Sequence, residues 1–222
     1  MNEHVDEYYR EFSDDNTPSG NFHRVISLHT SPDLEWEDMS NRVPSLPRGW
    51  YELARLSRED RLEFVCDFWL SKLPYMLHTT EALTRFFSSL DDIGIYITQE
   101  TYDTPYISQM VYSLKDEKGF FHGYPPISEE GALVLQDYIN IMISPGAYML
   151  PADYTAFLEV HDGFCKYTDT GLVPSRDLKK YYQQMRKLLS MQEPLVTEGG
   201  IEVNPKSLIP FYESFGLNCY QC

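Results

Sequence analysis

The side chains able to do chemistry in this sequence are few and scattered. Cys219 and Cys222 stand at C-x-x-C spacing, which suits a redox pair or half of a zinc site. Zinc needs four ligands, however, and neither Cys66 nor Cys165 has a second ligand close by. A thioredoxin-like pair opens a helix after a strand, whereas this pair closes the sequence, so structural thiols are the expectation. His161 and Asp162 are neighbours and could be a base and its orienter. Adjacent residues on a helix point about 100° apart, so sequence proximity does not make them a dyad, and a helix cap fits His-Asp-Gly better. Asp91-Asp92 and Glu129-Glu130 suit helix-end charges more than paired acid/base carboxylates. No nucleophile elbow, phosphate loop, dinucleotide fingerprint, zinc-protease helix or calcium loop is present. The expectation is a protein without catalysis, cofactor or metal.

The elements that position these groups follow from periodicity. Residues 1–48 show no sustained period and collect Pro18, Gly20, Pro32, Pro44 and Pro47, which predicts an irregular, acidic arm. Its apolar residues, among them Phe22, Val25, Leu28 and Trp36, predict that part of it packs on the body. Residues 49–124 read as a helix-helix-strand-strand unit. Ser57 caps a helix with Leu62, Val65, Cys66, Trp69, Leu70 and Leu73 on one face, stopped at Pro74. Thr79 or Thr80 caps a second helix carrying Leu83, Phe86, Phe87 and Leu90. Alternation at Ile93, Ile95 and Ile97 and the Tyr106–Leu114 run then predict antiparallel strands.

Residues 125–222 form the third segment. Ser128 caps a helix with Leu135, Tyr138, Ile139 and Met142 inward. In Leu150–Gly163 a short helix is expected with Pro151 first, Tyr154, Phe157, Leu158 and His161 on one face, and Gly163 closing it. A strand at Gly171–Pro174 precedes a helix from Ser175 to Met191 whose outer face carries Arg176, Lys179, Lys180, Arg186 and Lys187. Strands are expected at Ile201–Val203, at Ser207–Tyr212 with Pro210 as a break, and at Leu217–Cys222.

Charge narrows the class of partner. Thirty-four acids against 18 bases give −16, which opposes nucleic acid and anionic membranes and favours a basic partner or simple solubility. Ten of the acids lie in the first 40 residues. No apolar run reaches the roughly 18–20 residues of a membrane span, and the acidic start is unlike a targeting peptide. With so few cysteines the expected compartment is the cytoplasm. The seventeen tyrosines suit an interface or a core equally.

The run Leu150-Pro151, Tyr154, Phe157-Leu158, His161-Asp162-Gly163 resembles the signature helix of the SUKH superfamily, the family of the fungal cell-wall-assembly regulator and of bacterial toxin-immunity proteins. Ser175-Arg176-Asp177-Leu178 and Ser207-Leu208-Ile209-Pro210-Phe211 with Gly216 resemble its later elements. The likeness covers residues 125–222 only. The family continues further than the position of Cys222, so its last elements are either missing here or supplied by the N-terminal strands. The resemblance implies an α+β domain, helices on a mostly antiparallel sheet, whose members bind proteins. Its motif is made of packing and backbone-geometry residues, which agrees with a role in recognition. The expected function is therefore a SUKH-type protein-binding module, such as an immunity protein occluding a basic toxin. An acidic secretion or assembly chaperone, or a regulatory scaffold whose arm folds back on the basic helix, is the alternative. The acids expected to meet the partner are Glu129, Glu130, Asp153, Glu159, Asp162 and Asp169.

Overall fold

The computed structural model describes residues 1–12, 20–73, 76–115, 119–143, 149–167, 171–214 and 219–221. The chain is α+β and divides into two units, Met1–Pro125 and Pro126–Cys222.

In the first unit the expected irregular arm carries regular structure: α1 (Glu3–Tyr8), β1 (Arg24–Ser27), α2 (Trp36–Arg42) and the start of α3 (Arg48–Leu53). These elements are too short to print a period on the sequence. Asn2 caps α1, its Oδ1 accepting from the Val5 N–H at 3.1 Å. Val5 and Tyr9 are buried with Phe22, Tyr96, Val111 and Phe120. Tyr9 stacks on Tyr96 at a centroid distance of 4.2 Å and donates its hydroxyl to Gln109 Oε1 at 2.9 Å. The arm's apolar residues are thus spent on its own unit.

The helical hairpin forms as α4 (Arg58–Lys72) and α5 (Leu77–Ser88). Ser57 Oγ accepts from the Asp60 N–H at 3.2 Å, as its spacing predicts. Helix α5 starts earlier than expected: Met76 is its N-cap, and Thr79 and Thr80 lie inside the helix. Pro74 lies outside the described residues. Strands β2 (Leu90–Gln99), β3 (Ile107–Leu114) and β4 (Phe120–Gly123) follow, and the sheet runs β1-β2-β3-β4, all antiparallel. Ile93, Ile95 and Ile97 point to one face and Gly94, Tyr96 and Thr98 to the other, yet all six are buried. The sheet is covered on both faces: Tyr9 of the arm stacks on Tyr96, while Trp69 of α4 donates to the Tyr112 hydroxyl at 3.1 Å.

Asp91 and Asp92 are not helix-end charges. They sit where the β2–β3 register shifts between Leu90 and Asp92. The shift turns Asp92 inward, where Arg61 of α4 reaches it.

The second unit holds α6 (Glu129–Ile143), α7 (Ala152–Leu158), β5 (Phe164–Lys166), β6 (Gly171–Leu172), α8 (Leu178–Leu189), β7 (Tyr212–Ser214) and β8 (Cys219–Gln221). Strands β5 to β8 pair in sequence order, each antiparallel to the next. Leu135, Ile139, Leu158, Val173, Leu178 and Ile209 form the core.

Four expectations are corrected by the structure of this unit. Pro151 is the N-cap of α7, one position before the first helical residue. Gly163 does adopt a left-handed φ of +89°, but α7 already ends at Leu158 with Glu159 as its C-cap, so the glycine serves the turn into β5. Residues 207–211 form no strand: a 3-10 turn, Pro205–Ser207, is followed by irregular backbone, and pairing begins at Tyr212. Pro210 has no N–H to give a ladder, which explains the delay. The expected strand at 201–203 reduces to one bridge, Val196 with Glu202.

Candidate functional site

The run Leu133-Val134-Leu135 contains the local reason for the site. Three successive apolar residues span about 200° of a helix, so they cannot all face one core. Leu135 is buried, while Leu133 is 68% and Val134 63% exposed. Helix α6 therefore carries apolar surface outward, and α7 packs beside it without covering it.

Two hydrogen bonds join these helices. The Ile127 N–H donates to the Leu158 carbonyl at 3.2 Å, satisfying one of the acceptors left open at the end of α7. The Leu150 N–H, just before α7, donates to Gln136 Oε1 at 2.9 Å. Between these ties lies a groove of about 380 Å³. Its apolar wall is Ile127, Ala132, Leu133, Leu150 and Leu158, and Glu129 and Glu159 stand on its rim.

Of the six acids expected to meet a partner, the groove brings Glu129 and Glu159 together, both exposed. Glu130 is exposed in the first turn of α6 but does not line the groove. Asp153, exposed in the first turn of α7, accepts from the Tyr154 N–H at 2.9 Å and lies apart from the groove as well. Asp162 is buried, and its two carboxylate oxygens accept from the N–H and the hydroxyl of Ser175, each at 2.7 Å. It holds the entry to α8 and presents no charge to an incoming surface. Asp169 lies outside the described residues. The residues missed from sequence were the apolar ones, Ala132 and Leu133, which the over-wide stripe of α6 could have revealed.

His161 is 1% exposed and stacks on Phe164 at 5.7 Å. Tyr181 is pushed up to about 12, first by burial and then by the Glu213 carboxylate, so its hydroxyl stays protonated. Cys66 is a free thiol, and burial followed by Asp67 raises it above its ordinary value, which lowers its reactivity. Cys219 lies in β8, while Cys222 falls outside the described residues. Among the described residues no group of His, Cys, Asp and Glu is placed to hold a metal ion, and no helix is long and apolar enough to cross a membrane.

No family model, no curated protein and no solved structure matches the chain.

Proposed function

We propose that residues 126–222 form a non-catalytic protein-recognition module of SUKH type, and that the α6–α7 groove receives a basic side chain of a protein partner. The observation that carries this reading is the pairing of an apolar wall with carboxylates on its rim. An arginine or lysine has the matching shape: its methylene stem packs on Leu133 and Leu150 while its charged head meets Glu129 and Glu159. The net charge of −16 supports the same choice, because it draws a basic surface in and raises the association rate. The SUKH reading is supported by α7 (Ala152–Leu158) within the Leu150–Gly163 segment, whose Leu158 and His161 are buried in the manner of a packing motif. A toxin held in this way would be inhibited by occlusion of its basic cleft. Such a partner belongs in the cytoplasm with the protein that neutralises it.

The test uses the full chain as bait in the cells that produce it, followed by kinetics with the purified protein that it captures. The reading expects Glu129→Lys with Glu159→Lys to slow association, and added salt to slow the wild type towards the variant. Equal rates for both proteins at every salt concentration would overturn it.

A second reading rests on Leu133, Val134 and Ile141, which lie 63–79% exposed on α6. Such a face suits a chaperone holding an apolar client segment. Suppression of aggregation of an unrelated unfolded protein, lost on Val134→Asp with Ile141→Asp, would favour it over the module.

A further inference from the structure

On its other side α6 faces α8, and the groove between them has the opposite character. It encloses about 450 Å³, with Tyr138 and Met142 of α6 on one wall and Lys179, Tyr182, Gln183, Arg186, Lys187 and Ser190 on the other. Lys179, Gln183, Arg186 and Ser190 follow one another at i, i+4, i+7 and i+11, so they form a single stripe along α8. Lys187 lies four residues beyond Gln183 and flanks that stripe.

The charge here is out of keeping with the rest of the chain. Between residues 176 and 187 there are five bases against one acid, in a protein of net charge −16. The one acid, Asp177, is beside Arg176 at 3.6 Å. Among the described residues Lys179, Arg186 and Lys187 meet no carboxylate. Helix stability explains part of this placement only. Arg186 and Lys187 stand in the last turn of α8, where cations offset the carbonyl end of the helix dipole. Lys179 stands in the first turn, where a cation opposes that dipole, two residues after the N-cap Asp177 that already pairs with Arg176.

The wall is also set before any ligand arrives. The Tyr182 hydroxyl donates to the Lys206 carbonyl at 3.1 Å, and Arg186 lies 5.8 Å from the Tyr182 ring centre. The ring is therefore fixed and the guanidinium is held against it.

We infer that the α6–α8 groove is a binding site for a compact phosphoryl group carried on a small molecule, with Lys179, Arg186 and Lys187 supplying the charge and Tyr138 an aromatic wall. Compactness follows from the electrostatics. At physiological salt, charges are screened beyond about 8 Å, so a small anion in the groove feels the local cations. A nucleic acid or a long acidic segment would extend into the field of a strongly negative chain. This site is independent of the α6–α7 groove, and either can fail without touching the other.

The experiment is an NMR titration of the isotope-labelled full chain with phenyl phosphate, with inorganic phosphate, and with phenol as the uncharged control. The expected result is saturable shifts confined to Tyr138, Lys179, Gln183, Arg186 and Lys187, with a dissociation constant of about 1 mM or lower. Phenol should give none. Lys179→Gln with Arg186→Gln should weaken binding about tenfold or more, whereas Lys180→Gln, outside the groove, should leave it unchanged. Tighter binding of phenyl phosphate than of inorganic phosphate identifies an organic monoester as the source, and equal binding identifies free phosphate. Absence of saturation with both anions up to about 10 mM overturns the site, as does binding that survives the double substitution in a folded variant.

Discussion

Both carboxylate oxygens of Asp162 are taken by Ser175, one by its N–H and one by its hydroxyl, each at 2.7 Å. The relationship fixes the end of the signature segment to the beginning of α8, the helices that border the two grooves. Asp162→Ala should therefore lower stability by about 1–2 kcal/mol, and Asp162→Asn by less, since the amide oxygen still accepts from the N–H. Glu130→Ala, at an exposed position, should stay within about 0.5 kcal/mol. Urea unfolding of the three variants checks the order, and an Asp162→Ala variant as stable as Glu130→Ala would remove Asp162 from this role.

Gly163 stands next to that link with a φ of +89°, and a Cβ there would lie 2.8 Å from Pro174 Cγ and 3.1 Å from the Leu172 carbonyl oxygen. Conformation and space both require glycine. Gly163→Ala should destabilise the chain by more than about 1 kcal/mol, read from thermal melts.

Filling the α6–α7 groove is the sharpest test of docking that leaves the charge alone. Ala132→Trp places an indole among Leu133, Leu150 and Leu158. It should abolish partner binding measured by surface plasmon resonance while the far-ultraviolet circular dichroism stays that of the wild type. Wild-type affinity in this variant would mean that the partner docks elsewhere.

In the first unit Arg61 donates to both oxygens of Asp92, at 2.9 and 3.1 Å, and to the carbonyls of Ile93 and Leu56, each at 2.8 Å. Both side chains are under 10% exposed. Removing one partner leaves a buried charge, so Arg61→Ala should cost about 3–5 kcal/mol. By denaturant midpoints, Arg61→Met combined with Asp92→Leu should recover part of that loss only, because the carbonyls of Ile93 and Leu56 and the buried Met1 amine also lose a partner.

Acid should weaken the first unit through His122. Burial lowers its pKa from 6.5 to about 4, and its Nδ1 has no hydrogen-bond partner. Above pH 6.5 the ring is neutral in both folded and unfolded chains, so pH leaves this balance unchanged. Below that the unfolded chain gains a proton that the folded chain refuses. Stability then falls between about pH 6.5 and pH 4, by about 3 kcal/mol for this group. His29, lowered chiefly by burial, acts in the same direction. His122→Phe should flatten the acid limb of urea midpoints against pH, and an unchanged limb would clear His122 as its source.

What the sequence determined by itself was the set of elements with enough length or a strong enough boundary to speak locally. Ser57 and Ser128 cap the helices they were expected to cap, and the alternating isoleucines form β2. The α+β class follows from those periods. Tertiary structure decided the rest. Helix α1 has six residues and cannot show a period, and it exists because the sheet face of Tyr96 and Val111 needs cover. Asp162 could be read as an exposed acid because sequence does not record that Ser175, thirteen residues away, turns back to meet it. Glu129 and Glu159 became one site only when α6 and α7 packed side by side, since a groove is a property of the distance between two backbones and no single helix carries it.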